Sequence, residues 1–222
     1  MDRVRTTDLL KLSDAKILES WTNAYTKSSV GSAFSVRGWY QQIYKDVFRD
    51  KLILDVGCGM GPDTVFYAEH GASVWFSDII PENVEYVRRV CALKGLTRVN
   101  FLYVEDLHSL DALPGNLDAI YCCGSMINAP FDVTRMEVQA YLRHLPVGGR
   151  WVELGYPEIR WEREGRLPFP EWGSQTDGGA PWVEWKDLVK LQKMLEPAAF
   201  ETILYLDFHN SDFNWFDLIR RS

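Results

Sequence analysis

The stretch LILDVGCGMGPD, residues Leu52 to Asp63, decides the fold of this chain. An apolar strand ends at Asp55, and Pro62 suits the first position of a helix, where its missing N–H costs nothing. Between them glycines occupy every second position: Gly57, Gly59 and Gly61. Glycine adopts positive φ and carries no side chain, so the backbone can turn sharply and approach a ligand closely. The pattern predicts a strand, a tight loop and a helix N-terminus, which together form a nucleotide-like site.

The glycine spacing distinguishes between classes of nucleotide site. A dinucleotide fingerprint is G-x-G-x-x-G, but here Pro62 stands in place of the last glycine. A P-loop needs a lysine after its glycines, and none follows Gly61. The carboxylate of Asp55 would repel a pyrophosphate and attract a cationic or amine-bearing ligand. A nicotinamide-binding fold and a coincidental tight turn remain as alternatives.

The motif DVGCGMG, which begins at Asp55, resembles the first motif of class I S-adenosylmethionine-dependent methyltransferases. The resemblance covers about residues 39–221, most of the chain. It implies S-adenosyl-L-methionine as the cofactor and S-adenosyl-L-homocysteine as the product.

Composition limits the class of protein and its partners. A chain of 222 residues with 46% hydrophobic and 25% charged residues suits a globular domain with a sizeable core. The net charge of −7 and the lack of a Lys/Arg run disfavour a nucleic-acid partner. No apolar run is long enough to be a signal core or a membrane span, so we expect a cytoplasmic protein with no membrane partner.

Cysteine and histidine usage argues against disulfides and metal sites. The four cysteines form no C-x-x-C motif, which favours reduced, mostly buried thiols. The four histidines show no metal-ligand spacing, so we expect no metal.

Strand-like runs alternate with helical runs of about ten residues, which predicts right-handed βαβ units and a parallel sheet. Near the C-terminus, the runs Phe200–Phe208 and Asn214–Arg221 are joined by a short loop that demands antiparallel pairing. We therefore expect an α/β fold: a doubly wound, mostly parallel seven-stranded sheet with an antiparallel last strand and helices on both faces. The predicted single domain, 1–222, comprises an N-terminal helical cover (1–50), a cofactor-binding core (51–154), a substrate lid or insertion (155–186), and a C-terminal helix with two antiparallel strands (187–222).

An acidic residue ends the second predicted strand. Asp78 lies 21 positions after Gly57, where a carboxylate is placed to accept hydrogen bonds from ribose hydroxyls. The alternative is that Asp78 caps the helix that begins at Pro81. Ile79 follows and would press on the adenine face.

Three further cofactor contacts follow from the resemblance. Asp106 would accept from the adenine amino group, and the Leu107 N–H would meet a ring nitrogen. A plain turn aspartate at position 106 is the alternative, and Glu105 competes for the role. Arg37 would pair with the methionine carboxylate, unless it is a solvated surface arginine.

The fourth predicted strand ends in YCCGSMINAP, and the resemblance places the methyl group near this end. Cys123 and Gly124 would offer carbonyls to the cofactor amine, while Ser125 and Asn128 would reach the acceptor.

A long segment, Gly155 to Trp185, follows the fifth predicted strand and exceeds the usual strand-to-helix connection. It contains four of the nine tryptophans, of which we expect Trp172 and Trp182 to contact the acceptor. Aromatic faces stack on sugar rings, planar rings or aliphatic chains. The alternative is that these residues seal a small core of the segment itself.

The predicted reaction is in-line transfer of a methyl group to a hydroxyl or amine of a small polar metabolite, with a sugar as mild favourite. Such transfer depends mostly on alignment, but a hydroxyl acceptor also needs a base. The candidates are Glu153, Tyr156 and His108, with Glu153 alternatively a structural acid paired with a lysine or arginine. A cofactor-binding protein without transferase activity and, less favoured, a nicotinamide-dependent oxidoreductase are the other functions considered.

Overall fold

The computed structural model describes residues 6–29, 37–176 and 180–222. In these ranges helices and strands alternate as the sequence predicts. The strands are β1 Leu52–Val56, β2 Ser73–Asp78, β3 Val99–Tyr103, β4 Ala119–Cys123, β5 Arg150–Gly155, β6 Phe200–Phe208 and β7 Phe213–Arg220. The helices are α1 Thr6–Leu9, α2 Asp14–Ser29, α3 Gly38–Val47, α4 Pro62–Glu69, α5 Pro81–Leu93, α6 Phe131–Leu142, α7 Glu158–Arg163, α8 Phe169–Thr176 and α9 Leu188–Leu195, with a 3-10 helix at Leu107–Ala112.

The strands form one seven-stranded sheet in the order β3-β2-β1-β4-β5-β7-β6. The pairs β1–β2, β2–β3 and β4–β5 are parallel, whereas β7 runs antiparallel to both β5 and β6. Helices flank the sheet. This confirms the predicted doubly wound α/β fold with an antiparallel last strand.

The connection between β6 and β7 explains the reversal of direction. His209, Asn210 and Ser211 have φ of 55°, 58° and 57°, so three successive residues adopt the left-handed conformation. Such a tight turn returns the chain beside the strand it has just left, which forces antiparallel pairing.

The chain divides into two compact units, residues 1–112 and 113–222. The first contains β1 to β3 and α1 to α5. Its hydrophobic core brings together residues of α1, α2, α4, α5 and β2, among them Trp21 and Phe76. Helix α5 contributes Val84, Val87 and Cys91, which the helical spacing predicts to share a buried face.

The second unit contains β4 to β7 and α6 to α9, with Trp151, Trp215 and Phe216 fully buried. The segment after β5 is not irregular, as its length suggested, because it holds α7 and α8. Its alternating charges pair across helical turns: the Arg160 Nε atom lies 3.0 Å from Glu164 Oε1, and Arg166 pairs with Glu162. Asp177, within this segment, lies outside the described residues.

All four cysteines lie in the described ranges, where none forms a disulfide and three are buried. Among the helices of the described ranges, none combines the length and apolar character needed to cross a membrane.

Candidate functional site

The loop after β1 adopts the conformation that its glycines predict. Gly57, Gly59 and Gly61 have φ of 65°, 56° and 65°, all in the left-handed region that favours glycine. Helix α4 begins at Pro62, immediately after Gly61. The strand, loop and helix N-terminus predicted from the sequence are therefore present.

Two of these glycines face different surroundings. A Cβ atom built on Gly59 would meet no atom within 4 Å, so this part of the backbone is open to a ligand. A Cβ on Gly61 would lie 2.6 Å from Val87 Cγ1, because the loop packs closely on α5 there. One glycine thus leaves a surface accessible, and the other permits packing.

The carboxyl group of Asp55, in the strand that leads into the loop, is fully buried. Its Oδ2 atom accepts a hydrogen bond of 2.5 Å from the Thr64 hydroxyl, while Oδ1 has no partner among the described residues. Burial and, second, the charge of Asp63 raise the pKa of Asp55 to about 8. The group is therefore mostly protonated at neutral pH, and an approaching cation would favour its charged form.

Asp63, in the first turn of α4, is completely buried and accepts hydrogen bonds from three side chains. It accepts from Arg37 Nη1 at 2.7 Å, Gln41 Nε2 at 2.7 Å and the Cys58 thiol at 3.3 Å. Arg37, predicted to bind the methionine carboxylate, thus holds an ion pair with Asp63, and 24% of its side chain is exposed. Sequence reasoning missed Asp63 and Gln41, although an acid in the first turn after Pro62 is a signal for N-terminal capping.

A cavity of about 280 Å³ lies beside the glycine loop, lined by Trp21, Ala24, Tyr25, Arg37, Cys58, Met60 and Pro62. The Trp21 ring stacks on Tyr25 with centroids 5.0 Å apart, and its Nε1–H donates to the Met60 carbonyl at 3.0 Å. Helix α2 therefore holds an aromatic wall against the loop.

Asp78, at the end of β2, is 5% exposed and joins the loop to α5. Its Oδ1 accepts from the Ile80 N–H at 2.8 Å and its Oδ2 from Asn83 Nδ2 at 3.0 Å. Burial raises its pKa, against backbone hydrogen bonds that include those from Ile80 and Gly59. The N-cap of α5 is Ile80, not Asp78. Next to it, Ile79 is 71% exposed, the highest value among the exposed large hydrophobic residues of the described ranges.

The residues predicted to hold the adenine lie before and within the 3-10 helix. Asp106 Oδ1 accepts from the backbone N–H groups of His108 at 2.9 Å and Ser109 at 3.1 Å, as in the turn interpretation. Leu107 exposes 37% of its surface. The His108 side chain is 93% exposed and lies 3.9 Å from Asp111, so it has few groups around it to tune a base.

In the second unit, β4 ends in a left-handed turn at Gly124, whose φ is 72°. The Gly124 N–H donates to the Leu154 carbonyl at 3.1 Å, which ties the turn to β5. Cys123 and Asn128 are half-buried. The Ser125 hydroxyl oxygen is buried and has no hydrogen-bond partner within the described ranges.

Glu153 is fully buried at the end of β5 and has a cationic partner. Its Oε2 accepts from Trp151 Nε1 at 2.8 Å, and its Oε1 accepts from Lys186 Nζ. Lys186 is 1% exposed and also donates to the Met126 carbonyl at 2.7 Å. The geometry thus matches the structural acid that the sequence left as an alternative. Lys186 was missed because 33 residues separate it from Glu153.

Tyr156 and Trp172 pack together in the segment after β5. The Tyr156 ring has the Arg160 guanidinium 4.2 Å from its centroid and meets Trp172 edge-on at 6.1 Å. Trp172 is completely buried, and its Nε1–H donates to Glu164 at 2.6 Å. This environment favours packing for Trp172. Trp182 is half-buried, and its indole nitrogen has no hydrogen-bond partner among the described residues.

No group of three or more His, Cys, Asp or Glu side chains within residues 6–29, 37–176 and 180–222 is arranged to hold a metal ion.

The sheet order and the glycine loop together define a Rossmann-like α/β fold. Residues 53–149 match a family model described as a methyltransferase domain. This match and the similar structures below support the predicted class I S-adenosylmethionine-dependent methyltransferase, and one of those structures, solved with bound SAH, supports the predicted cofactor.

Similar proteins agree on the fold and differ in what they act on. A SAM-dependent methyltransferase from Aquifex aeolicus superposes with a TM-score of 0.62 at 16% identity, over 94% of this chain and 100% of that one. Magnesium protoporphyrin IX methyltransferase from Synechocystis, solved with bound SAH, gives 0.58 at 18% identity, over 82% and 84%. Protein arginine N-methyltransferase 1 of Saccharomyces cerevisiae is 36% identical over 67 residues, 29% of this chain. The match spans about a fifth (19%) of that curated relative.

Proposed function

We propose that this chain transfers a methyl group from S-adenosylmethionine to a hydroxyl or amine of a small polar metabolite, with a sugar as the favoured class. The observation that carries the proposal is the glycine loop: Gly59 leaves the backbone open, and in the preceding strand the buried Oδ1 of Asp55 has no hydrogen-bond partner among the described residues. A buried carboxyl oxygen without a partner suits the cationic amine of this cofactor. When bound, the cofactor supplies an electrophilic methyl group on a sulfonium.

The proposal also assigns individual residues to the cofactor. Glycine tolerance, carboxylate acceptors and exposed apolar surface support these assignments. The proposed residues are Arg37, Asp55, Gly57, Cys58, Gly59, Gly61, Asp78, Ile79, Asp106, Leu107, Cys123 and Gly124. For Arg37 the role depends on sharing its guanidinium with Asp63.

The acceptor is proposed to bind through Ser125, Asn128 and Trp182. A buried polar group without a partner costs about 1–3 kcal/mol, so a polar ligand would satisfy the Ser125 hydroxyl and the Trp182 indole N–H. Trp172 would contribute by packing rather than by direct contact with the acceptor. The net charge of −7 supports a partner other than nucleic acid, and four cysteines that form no disulfide support a cytoplasmic location.

A base is required only for a hydroxyl acceptor, since an amine deprotonated in solution needs none. Glu153 has both carboxylate oxygens engaged, by Trp151 and Lys186. We therefore place Tyr156, just after β5, ahead of Glu153 and of the exposed His108 as the proton acceptor.

The test begins with calorimetry on the purified chain. S-adenosylhomocysteine should bind at least about 100-fold more tightly than NAD. Labelled S-adenosylmethionine should then transfer its methyl group to members of a panel of sugars, phenols and amines, with an arginine-rich peptide included because one relative is an arginine N-methyltransferase.

Each alternative predicts a different result. Cofactor binding with no transfer to any panel member would favour a binding protein without transferase activity. Comparable NAD binding would favour an oxidoreductase, and transfer to the peptide alone would overturn the small-molecule assignment.

A further inference from the structure

Three side chains form a continuous hydrogen-bonded chain from helix α1 to the end of β2. The Thr6 hydroxyl donates to Asn83 Oδ1 at 2.8 Å, and Asn83 Nδ2 donates to Asp78 Oδ2 at 3.0 Å. Thr6 begins α1, and Asn83 lies in the first turn of α5. The amide of Asn83 therefore connects two elements that are 77 residues apart in the sequence.

This chain fixes the orientation of the Asp78 carboxylate. Oδ2 is held by Asn83, and Oδ1 is held by the Ile80 N–H at 2.8 Å. A carboxylate only accepts, so it takes the amide N–H of Asn83, and the amide oxygen must face Thr6. Asn83 is buried, with 9% of its surface exposed, so water offers it little alternative.

Helix α1 is also anchored to α5 independently of Asn83. Arg89, on α5, donates to the carbonyls of Leu10 at 3.0 Å and Leu12 at 3.2 Å, and it pairs with Asp14 at the start of α2. Leu9 is 5% exposed in the same core as α5. The first helix is therefore docked on the helix that carries Asn83.

We propose that Asn83 is a positioning residue that preorganises Asp78 for the cofactor ribose, and that its bond to Thr6 makes the docking of α1 and cofactor binding mutually stabilising. The inference rests on the proposed function, in which Asp78 accepts from the ribose hydroxyls. A protein side chain that is held in its binding orientation beforehand needs no reordering when the ligand arrives. By linkage, the bound cofactor must then strengthen the docking of α1.

The test is calorimetry with S-adenosylhomocysteine and its 2′,3′-dideoxyribose analogue (the deoxy analogue) on the whole chain. Loss of a hydrogen bond to a charged group is worth about tenfold in affinity, so Asn83→Ala should weaken S-adenosylhomocysteine about tenfold. The same variant should weaken the deoxy analogue less than about threefold, because that ligand has neither hydroxyl with which to contact Asp78. Glu85→Ala, at an exposed position of α5, is the matched control and should bind both ligands as wild type does.

Thr6→Val supplies a second variant that leaves the buried amide in place. Its affinity for S-adenosylhomocysteine should fall about threefold with the deoxy analogue unaffected, and this arm decides the outcome if Asn83→Ala does not fold. Hydrogen exchange gives an independent measurement, because the Leu10 N–H donates to the Thr6 carbonyl at 3.0 Å at the end of α1. S-adenosylhomocysteine should slow exchange of this N–H in wild type but not in the variants.

The results distinguish failure of the ribose role of Asp78 from failure of the positioning role of Asn83. A wild-type chain that fails to bind S-adenosylhomocysteine, or binds the deoxy analogue equally well, overturns the ribose role of Asp78 and with it this inference. A wild type that distinguishes the two ligands, with variants that distinguish them equally, overturns the positioning role of Asn83 alone. Lower melting temperatures without a ribose-specific change would also count against it, because a structural residue behaves in that way.

Discussion

At the scale of single residues, Asp55 links the stability of the protein to pH. Burial raises its pKa from 3.8 to about 8, so between those values the native state holds a proton that the unfolded state has released. Stability should therefore fall as pH rises through this window, with a slope of up to about 1.4 kcal/mol per pH unit, and level off above about pH 8.

Asp55→Asn removes this proton linkage while keeping the side-chain shape. In urea unfolding from about pH 5 to 8, the variant should gain stability relative to wild type as the pH rises. Asp50→Asn, at an exposed carboxylate, is the control and should show no such trend. Parallel curves for wild type and Asp55→Asn would contradict the assignment.

Gly59 and Gly61 should respond differently to the same substitution, because a side chain on Gly59 would meet open space and one on Gly61 would meet Val87. Gly59→Ala points a methyl group at the open face of the loop, so it should weaken S-adenosylhomocysteine binding at least about tenfold. The positive φ of this position also costs about 1–2 kcal/mol of backbone strain in the variant. Gly61→Ala places its methyl group against Val87 and adds overpacking of about 1–3 kcal/mol to that strain. Calorimetry and thermal unfolding of both variants separate the effects. Normal binding by folded Gly59→Ala would show that the ligand lies elsewhere.

At the scale of elements, one ion pair joins the stretch before α9 to the end of β5. Lys186→Met leaves the Glu153 carboxylate buried and unpaired, which should lower the free energy of unfolding by about 3–5 kcal/mol. The double variant Lys186→Met with Glu153→Gln should recover most of the loss, because no buried charge then remains. Denaturant unfolding measures both, with Lys193→Met, on the exposed face of α9, as control. Equal losses for the single and double variants would argue against an electrostatic cause.

The same region shows where sequence reasoning about elements stops. The bounds of β6 and β7 were predicted within one residue, because apolar runs are local signals. The helices α7 and α8 were not predicted, since α7 (EIRWER) is mostly charged and both helices are too short to carry a long apolar stripe. The sequence allowed Trp172 to be either a ligand contact or a core residue, and only its complete burial in the structure distinguishes these two interpretations.

For the whole molecule, the fold and the glycine loop were predictable, but the partners within the site were not. Asp55 and Asp78 stand out in sequence because each ends a strand beside a turn. Asp63, Asn83 and Lys186 do not, because their roles depend on residues 22, 77 and 33 positions away. Pairing at such distances is a property of packing, which one sequence does not encode in any local pattern.

The sheet order also governs the order in which strands can pair during folding. Strand β7 lies between β5 and β6, so β6 joins the sheet only through β7. Until β7 is in place, Leu204 and Leu206 lack the residues that pair with them, Asp217 and Trp215. A chain whose last strand failed to form would leave β6 as an unpaired apolar strand, which is a site for aggregation. The left-handed turn at His209 to Ser211 counters this hazard, because it returns β7 directly beside β6.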